Sequence, residues 1–262
     1  MDRPEHPQGT AFEEAEQILQ RARDARVTLR LVGGWAIQLH CTEHDFCDRE
    51  HPDIDFVGLS SQYEDIVRVM KDMGYVENQN MTLATSVSRL LFERPGSSDY
   101  VDVFLDSMDI EHYIDLRDRL EIEEDTLSVS DLLLIKLTIS RLNEKDVRDI
   151  VTMLKDLEFG SDDTPRTVNR AYLARVCSKS WGLYHDVLLA LRKIRSLLAR
   201  YSFPEDTEST VESRLDSLNE AIIREPKSLR WKLRALLGER IAWKRPVETE
   251  GVKLDSIQQR VS

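Results

Sequence analysis

Val27-Thr28-Leu29-Arg30-Leu31-Val32-Gly33-Gly34-Trp35-Ala36-Ile37-Gln38-Leu39-His40, followed by Asp53-Ile54-Asp55-Phe56-Val57, is the part of the chain that decides the fold. The first run reads as a strand that feeds two glycines and opens a helix. Bare backbone N–H groups at such a helix start favour phosphate. The second run reads as a strand with an Asp-x-Asp pattern. Residues two apart on a strand share a face, so Asp53 and Asp55 project together while Ile54 and Phe56 turn into a core. Pro52 suits a strand start, where no ladder donor is needed.

Working outward, Tyr100-Val101-Asp102-Val103-Phe104-Leu105 places a third carboxylate in the same apolar context. If the two strands are neighbours, Asp53, Asp55 and Asp102 converge. Carboxylates held that close repel unless cations lie between them, and hard divalent ions such as Mg²⁺ take oxygen ligands of this kind. Two such ions could clamp both oxygens of a phosphoryl displacement. Ser88 to Glu93 and Tyr100 to Leu105 flank Arg94-Pro95-Gly96-Ser97-Ser98-Asp99, a turn sequence, so a hairpin is expected there. A hairpin beside the acidic strand argues for a mixed sheet rather than a doubly wound parallel one.

These residues resemble the nucleotidyltransferase superfamily, which includes DNA polymerase beta: a Gly-Gly or Gly-Ser turn, a helix, an Asp-x-Asp strand and a later carboxylate. Gly33-Gly34-Trp35-Ala36 with Arg49-Glu50-His51-Pro52-Asp53-Ile54-Asp55 is similar to the aminoglycoside- and lincosamide-type members. Asp131-Leu132-Leu133-Leu134-Ile135-Lys136-Leu137 and Asn143-Glu144-Lys145-Asp146-Val147-Arg148-Asp149-Ile150 instead resemble AbiEii-type members, which include toxins that modify RNA. The resemblance spans roughly residues 25–157. It implies an α+β fold, a mixed and largely antiparallel sheet with flanking helices. It also implies two Mg²⁺ ions, and a nucleoside triphosphate as substrate. Asp53, Asp55 and Asp102 would hold metal, with Asp102 also serving as general base. Gly33 and Gly34 would contact phosphates through the backbone, Lys136 would offer a cation to the triphosphate, and Arg49 would contact phosphate or brace its loop. The Gly-Gly turn lacks the hydroxyl of the Gly-Ser form.

A competing constellation is His40, Cys41, His44, Cys47 and His51, which carry soft-metal ligand chemistry. Against zinc, the two cysteines lack the usual Cys-x₂₋₄-Cys interval. The plainer reading is a helix end and a loop. Lys145, Asp146 and Asp149 read as a solvated face or an internal salt bridge, or as residues that shape the site.

The rest is helical in pattern. Phe12, Ala15, Ile18, Leu19 and Ala22 recur at helical spacing, as do the apolar residues of Ser61 to Met73. Ser130 to Leu142 and Lys145 to Leu157 read as a helical pair. Phe159 to Pro165 reads as a boundary, giving a catalytic domain over 1–160 and an all-helical, basic domain over 161–262. Helices are expected over Val168 to Ser178, Gly182 to Arg200, Thr210 to Arg224 and Lys227 to Trp243. The final residues read as disordered or as a short helix.

Charge divides along the same line. Residues 1–164 hold 17 Lys+Arg against 36 Asp+Glu, a balance of −19, and residues 165–262 hold 19 against 12, or +7. A basic tail can guide a polyanion. Lys227, Arg230 and Arg234 fall at spacings of three and four, so a basic stripe is expected, with Arg230, Lys232 and Arg234 as candidate nucleic-acid contacts beside Trp231 and Trp243. The favoured acceptor on this reading is RNA or tRNA, as for toxin relatives, with a neutralising protein partner then possible. The alternative is a cationic antibiotic of the aminoglycoside or lincosamide kind, which an acidic cleft would attract. A third reading is a non-catalytic nucleotide-binding or regulatory module. No run approaches a membrane span, and the N-terminus lacks the pattern of a signal peptide, so a cytoplasmic protein is expected. Three cysteines without a framework spacing suit reduced thiols.

Overall fold

The computed structural model describes residues 10–41, 53–97, 100–201, 203 and 205–245. Helix α1 (Thr10–Asp24) turns Phe12, Ala15, Ile18, Leu19 and Ala22 into the core, as their spacing requires. Strand β1 (Leu29–Val32) runs straight into α2 (Gly33–His40), and β2 (Ile54–Gly58) follows. A 3₁₀ turn, α3 (Tyr63–Asp72), β3 (Val76–Glu77) and α4 (Gln79–Ala84) lead to the hairpin of β4 (Arg89–Glu93) and β5 (Tyr100–Leu105).

These five strands form one sheet in the order β1-β2-β5-β4-β3. Only the central pair β2 and β5 is parallel; β1–β2, β5–β4 and β4–β3 are antiparallel. The largely antiparallel mixed sheet expected from the sequence is therefore present. One face is apolar and closed: Ile54, Phe56, Leu90, Phe92, Val101 and Val103 are all buried. The opposite face carries the polar residues of the same strands.

After β5 comes a small hairpin, β6 (Ser107–Asp109) and β7 (Tyr113–Asp115), which the sequence pattern does not announce. Helices α5 (Val129–Leu137) and α6 (Glu144–Asp156) pack on each other and on α2. Both start on side-chain caps, Ser128 for α5 and a full capping box between Asn143 and Asp146 for α6. Phe159 to Pro165 is not a bare connector, because β8 (Glu158–Gly160) and β9 (Thr167–Asn169) pair in parallel across it.

The remaining elements are helices α7 (Arg170–Lys179), α8 (Trp181–Leu198), α9 (Glu205–Arg224) and α10 (Leu229–Leu237). The last is shorter than its apolar pattern suggests. Gly238 adopts φ +52°, a conformation that ends the helix, and the chain continues as a 3₁₀ turn and an extended strap to Arg245. That strap docks on α8, where Trp243 lies so close to Gly182 that a Cβ there would sit 2.6 Å from the Trp243 carbonyl oxygen. Among the described residues, no helix is long and apolar enough to cross a membrane.

Candidate active site

The open face of the sheet gathers the acidic residues. Asp55 and Asp102 are direct register partners across β2 and β5, and Val32, the last residue of β1, is the partner of Asp55 on its other side. Asp53 precedes β2 and is exposed, whereas Asp102 is buried. The glycine turn lies on the same edge. Gly33 has φ +80°, and a Cβ built on it would meet the Asp55 Oδ2 at 3.1 Å. A side chain there would be strained and would press on the carboxylate.

Burial pushes the Asp55 carboxyl up to about 7, and the charges of Asp102 and Asp53 add to the shift, while Arg89 and Lys136 oppose it. That is the electrostatic signature of a cluster with surplus negative charge. Their oxygens are the ligand type that hard divalent cations take, but among the described residues no three His, Cys, Asp or Glu side chains stand close enough together to hold a metal ion as they are placed.

Two residues of this face were not singled out in the sequence. Tyr100 donates its hydroxyl to Asp53 Oδ1 at 2.7 Å. Arg89 donates Nε and Nη2 to the two oxygens of Asp102, at 2.8 and 2.7 Å, and lies 5.2 Å from the centre of the Phe104 ring. Its position follows from register. Arg89 pairs with Phe104 and Leu91 with Asp102, so Arg89 and Asp102 are diagonal neighbours on one face.

Lys136 lies close enough to lower the titration point of Asp55, yet its ammonium is engaged elsewhere. It pairs with Asp149 at 2.8 Å and Asp146 at 3.1 Å, both on α6. Burial would lower its pKa, and the two carboxylates outweigh that and raise it. The internal salt-bridge reading of Asp146 and Asp149 is thus the one that fits, with Lys136 as their partner. Arg49 lies outside the described residues.

The zinc reading loses its first ligand. His40 donates Nδ1–H to the Pro165 carbonyl at 2.8 Å, so its Nε2 accepts from the Thr126 hydroxyl at 2.6 Å. Burial holds this ring well below the usual histidine range, at about 4. Cys41 and Cys177 are both buried. His44, Cys47 and His51 lie outside the described residues.

Two of the three residues of the basic stripe expected on the last helices, Lys227 and Arg234, have their side chains engaged within the chain. Lys227 donates to the carbonyls of Ile222 and Ile223 and so caps α9. Arg234 donates to the carbonyls of Gly238 and Ile241 and stacks on Trp181. Trp231 meets Tyr184 edge-on, and Trp243 meets Trp181 in the same way, so neither is an open stacking platform. Arg230 and Lys232 are exposed, but the outward face of α10 also carries Leu229, Leu233 and Leu236, each more than half exposed. An apolar outer face is a poor match to a phosphate backbone.

One cavity lies elsewhere, against His185, Asp186 and Trp243, and none of its lining residues belongs to the carboxylate face.

Residues 14–119 match the family described as aminoglycoside-2''-adenylyltransferase. The matched span contains Gly33, Gly34, Asp53, Asp55, Arg89 and Asp102 and leaves out Lys136 and every helix after it. No curated protein matches the chain. Two solved structures of ANT(2'')-Ia are similar at 14% identity and a TM-score of 0.40. One is the solution structure of that antibiotic-resistance factor, matched over 55% of this chain and 82% of the other. The second is its crystal structure with adenylyl-2''-tobramycin, matched over 55% and 87%. The stretch that carries the glycine turn and the carboxylate face, residues 14–119, is thus similar to the aminoglycoside-2''-adenylyltransferase family.

Proposed function

We propose that this protein transfers a nucleoside monophosphate, with ATP the first donor to test, onto a hydroxyl of a cationic small molecule of the aminoglycoside kind. The observation that carries the reading is the register pairing of Asp55 with Asp102, with Asp53 beside them, inside the span matched by the adenylyltransferase family. The acceptor class rests on charge as well. Residues 1–164 carry a balance of −19, which concentrates polycations near the site and repels RNA.

Asp53, Asp55 and Asp102 would hold Mg²⁺, which when bound neutralises the triphosphate and lowers the pKa of the acceptor hydroxyl. The start of α2 receives phosphate oxygens on the N–H groups of its Gly-Gly turn. The acceptor oxygen attacks the α-phosphorus in line. Its O–H proton passes to an Asp102 oxygen, a new O–P bond forms, and the bond to the β-phosphate breaks to release pyrophosphate. Tyr100 steadies Asp53 through its 2.7 Å hydrogen bond.

The deciding experiment supplies each α-labelled triphosphate with Mg²⁺ to a panel of aminoglycosides and lincosamides and, separately, to total tRNA. Label on a drug with wild type, and none with Asp53→Ala, is the expected outcome. Label on tRNA alone would overturn the acceptor class. Full turnover by Asp53→Ala or Asp55→Ala would overturn the site.

A further inference from the structure

The third carboxylate is not free to choose its orientation. Asp102, 4% exposed in its side chain, is held through both oxygens by the fork of Arg89, itself 30% exposed. Bidentate Arg–carboxylate pairs fix a plane as well as a charge, because two parallel N–H bonds leave the carboxylate no rotation. The guanidinium is braced along Phe104, the next residue on the same face of β5.

Resting on the reading of this face as the transfer centre, we propose that Arg89 is a positioning residue that fixes the plane of the Asp102 carboxylate. In the same proposal it serves as the resident cation of the metal-free cluster. It does both from the neighbouring strand, without touching the reacting atoms.

Two consequences separate this from a merely structural ion pair. As a resident cation, Arg89 opposes divalent binding, so its removal strengthens that binding. As the group that sets the carboxylate plane, it is needed for turnover rather than for nucleotide binding. A lysine keeps the first property and loses the second, since a single ammonium offers no planar fork.

The test uses the full chain with Arg89→Gln and Arg89→Lys. Mn²⁺ binding is measured by electron paramagnetic resonance without nucleotide, and transfer is measured with each variant. Arg89→Gln should bind Mn²⁺ several-fold more tightly than wild type. Its kcat should fall by about 10²-fold, typical of losing an outer-shell partner, with little change in KM for the triphosphate. Arg89→Lys should return Mn²⁺ affinity toward wild type and leave kcat low. Thermal melts give the folded fraction by which each value is normalised. Wild-type Mn²⁺ affinity and wild-type kcat per folded molecule in Arg89→Gln would overturn the proposal. So would full kcat in Arg89→Lys, the variant to rely on if Arg89→Gln does not fold. Absence of Mn²⁺ binding by wild type itself would instead remove the transfer reading, and this proposal with it.

Discussion

Asp55 of β2 and Asp102 of β5 face each other as direct partners on the only parallel strand pair of the sheet. Two carboxylates in that relation, with Asp53 two residues away, cost folding free energy when no cation lies between them.

The cost is measurable. The Asp55 carboxyl is pushed up to about 7 by burial and by its acidic neighbours, against about 3.9 in an unfolded chain. Between those values the folded protein binds a proton that the unfolded chain has lost. Stability from this group is therefore present below pH 4 and is lost as pH rises through 7. Asp55→Asn lacks that dependence. In chelator at pH 8 it should melt several degrees above wild type, and the gap should close toward pH 5. Mg²⁺ should raise the melting temperature of wild type more than that of the variant. Identical melts at pH 8 would mean that the cluster is not frustrated.

Gly33 is the one glycine of the site whose conformation leaves no substitute. Gly33→Ala meets a left-handed φ of +80°, worth about 1–2 kcal/mol, and sets a methyl 3.1 Å from the Asp55 Oδ2. The melting temperature should fall by several degrees and Mn²⁺ affinity should drop with it. A variant that is destabilised but binds Mn²⁺ as wild type does would show that the turn and the carboxylate are independent.

Lys136 divides a structural role from a ligand-binding one. With Asp149 fully buried and Asp146 nearly so, Lys136→Met leaves two carboxylates without their cation. Urea unfolding should report a loss of about 3–5 kcal/mol, as for other broken buried pairs. Adding Asp149→Asn should recover part of it. If the ammonium instead serves the triphosphate, the single variant would keep its stability and raise KM for nucleotide.

Much of this site was legible in the sequence because its signals are local. Asp53-x-Asp55 shares a face by strand period alone, Gly33-Gly34 closes an apolar run, and Pro95-Gly96 marks the hairpin that carries Asp102. The helical face of α1 was equally plain. What escaped depends on register and packing. Arg89 reaches Asp102 only because Leu91 is the partner of Asp102, a fact about pairing that no spacing reveals. Lys136 finds Asp146 and Asp149 only when α5 and α6 pack. The use of two cations of the basic stripe was hidden for a related reason: Lys227 caps the end of α9, and Arg234 holds the turn and strap after α10. The strands β6 to β9 are three residues each, too short for alternation to show.

The strap after α10 gathers on one buried carboxylate of α8 besides its contacts to Asp109 and Glu111, and that gives the last prediction. Asp186 accepts from His112 Nε2 at 2.9 Å, from His185 Nδ1 at 3.0 Å and from the Trp243 indole at 2.9 Å, with the Lys244 ammonium at 3.7 Å. Burial alone would raise its pKa; the three donors and the nearby ammonium overcome it and hold the carboxyl well below the usual range. A depressed carboxylate stabilises the fold above its unfolded value near 3.9 and loses that contribution as pH falls below it. Asp186→Asn keeps the shape but offers one oxygen where two accepted, and its amide donors face other donors. It should cost about 1.5–3 kcal/mol at pH 7, the range for a hydrogen bond to a charged group. The deficit relative to wild type should shrink as pH falls below about 3.9, since the unfolded wild-type chain then takes up a proton that the folded one excludes. Trp243 reports the event directly, because release of its indole from Asp186 and of its ring from Trp181 should shift tryptophan emission to the red before global unfolding. Loss of stability without that early shift would mean that Asp186 holds α8 against the β6–β7 hairpin through His112, and that the strap follows rather than leads.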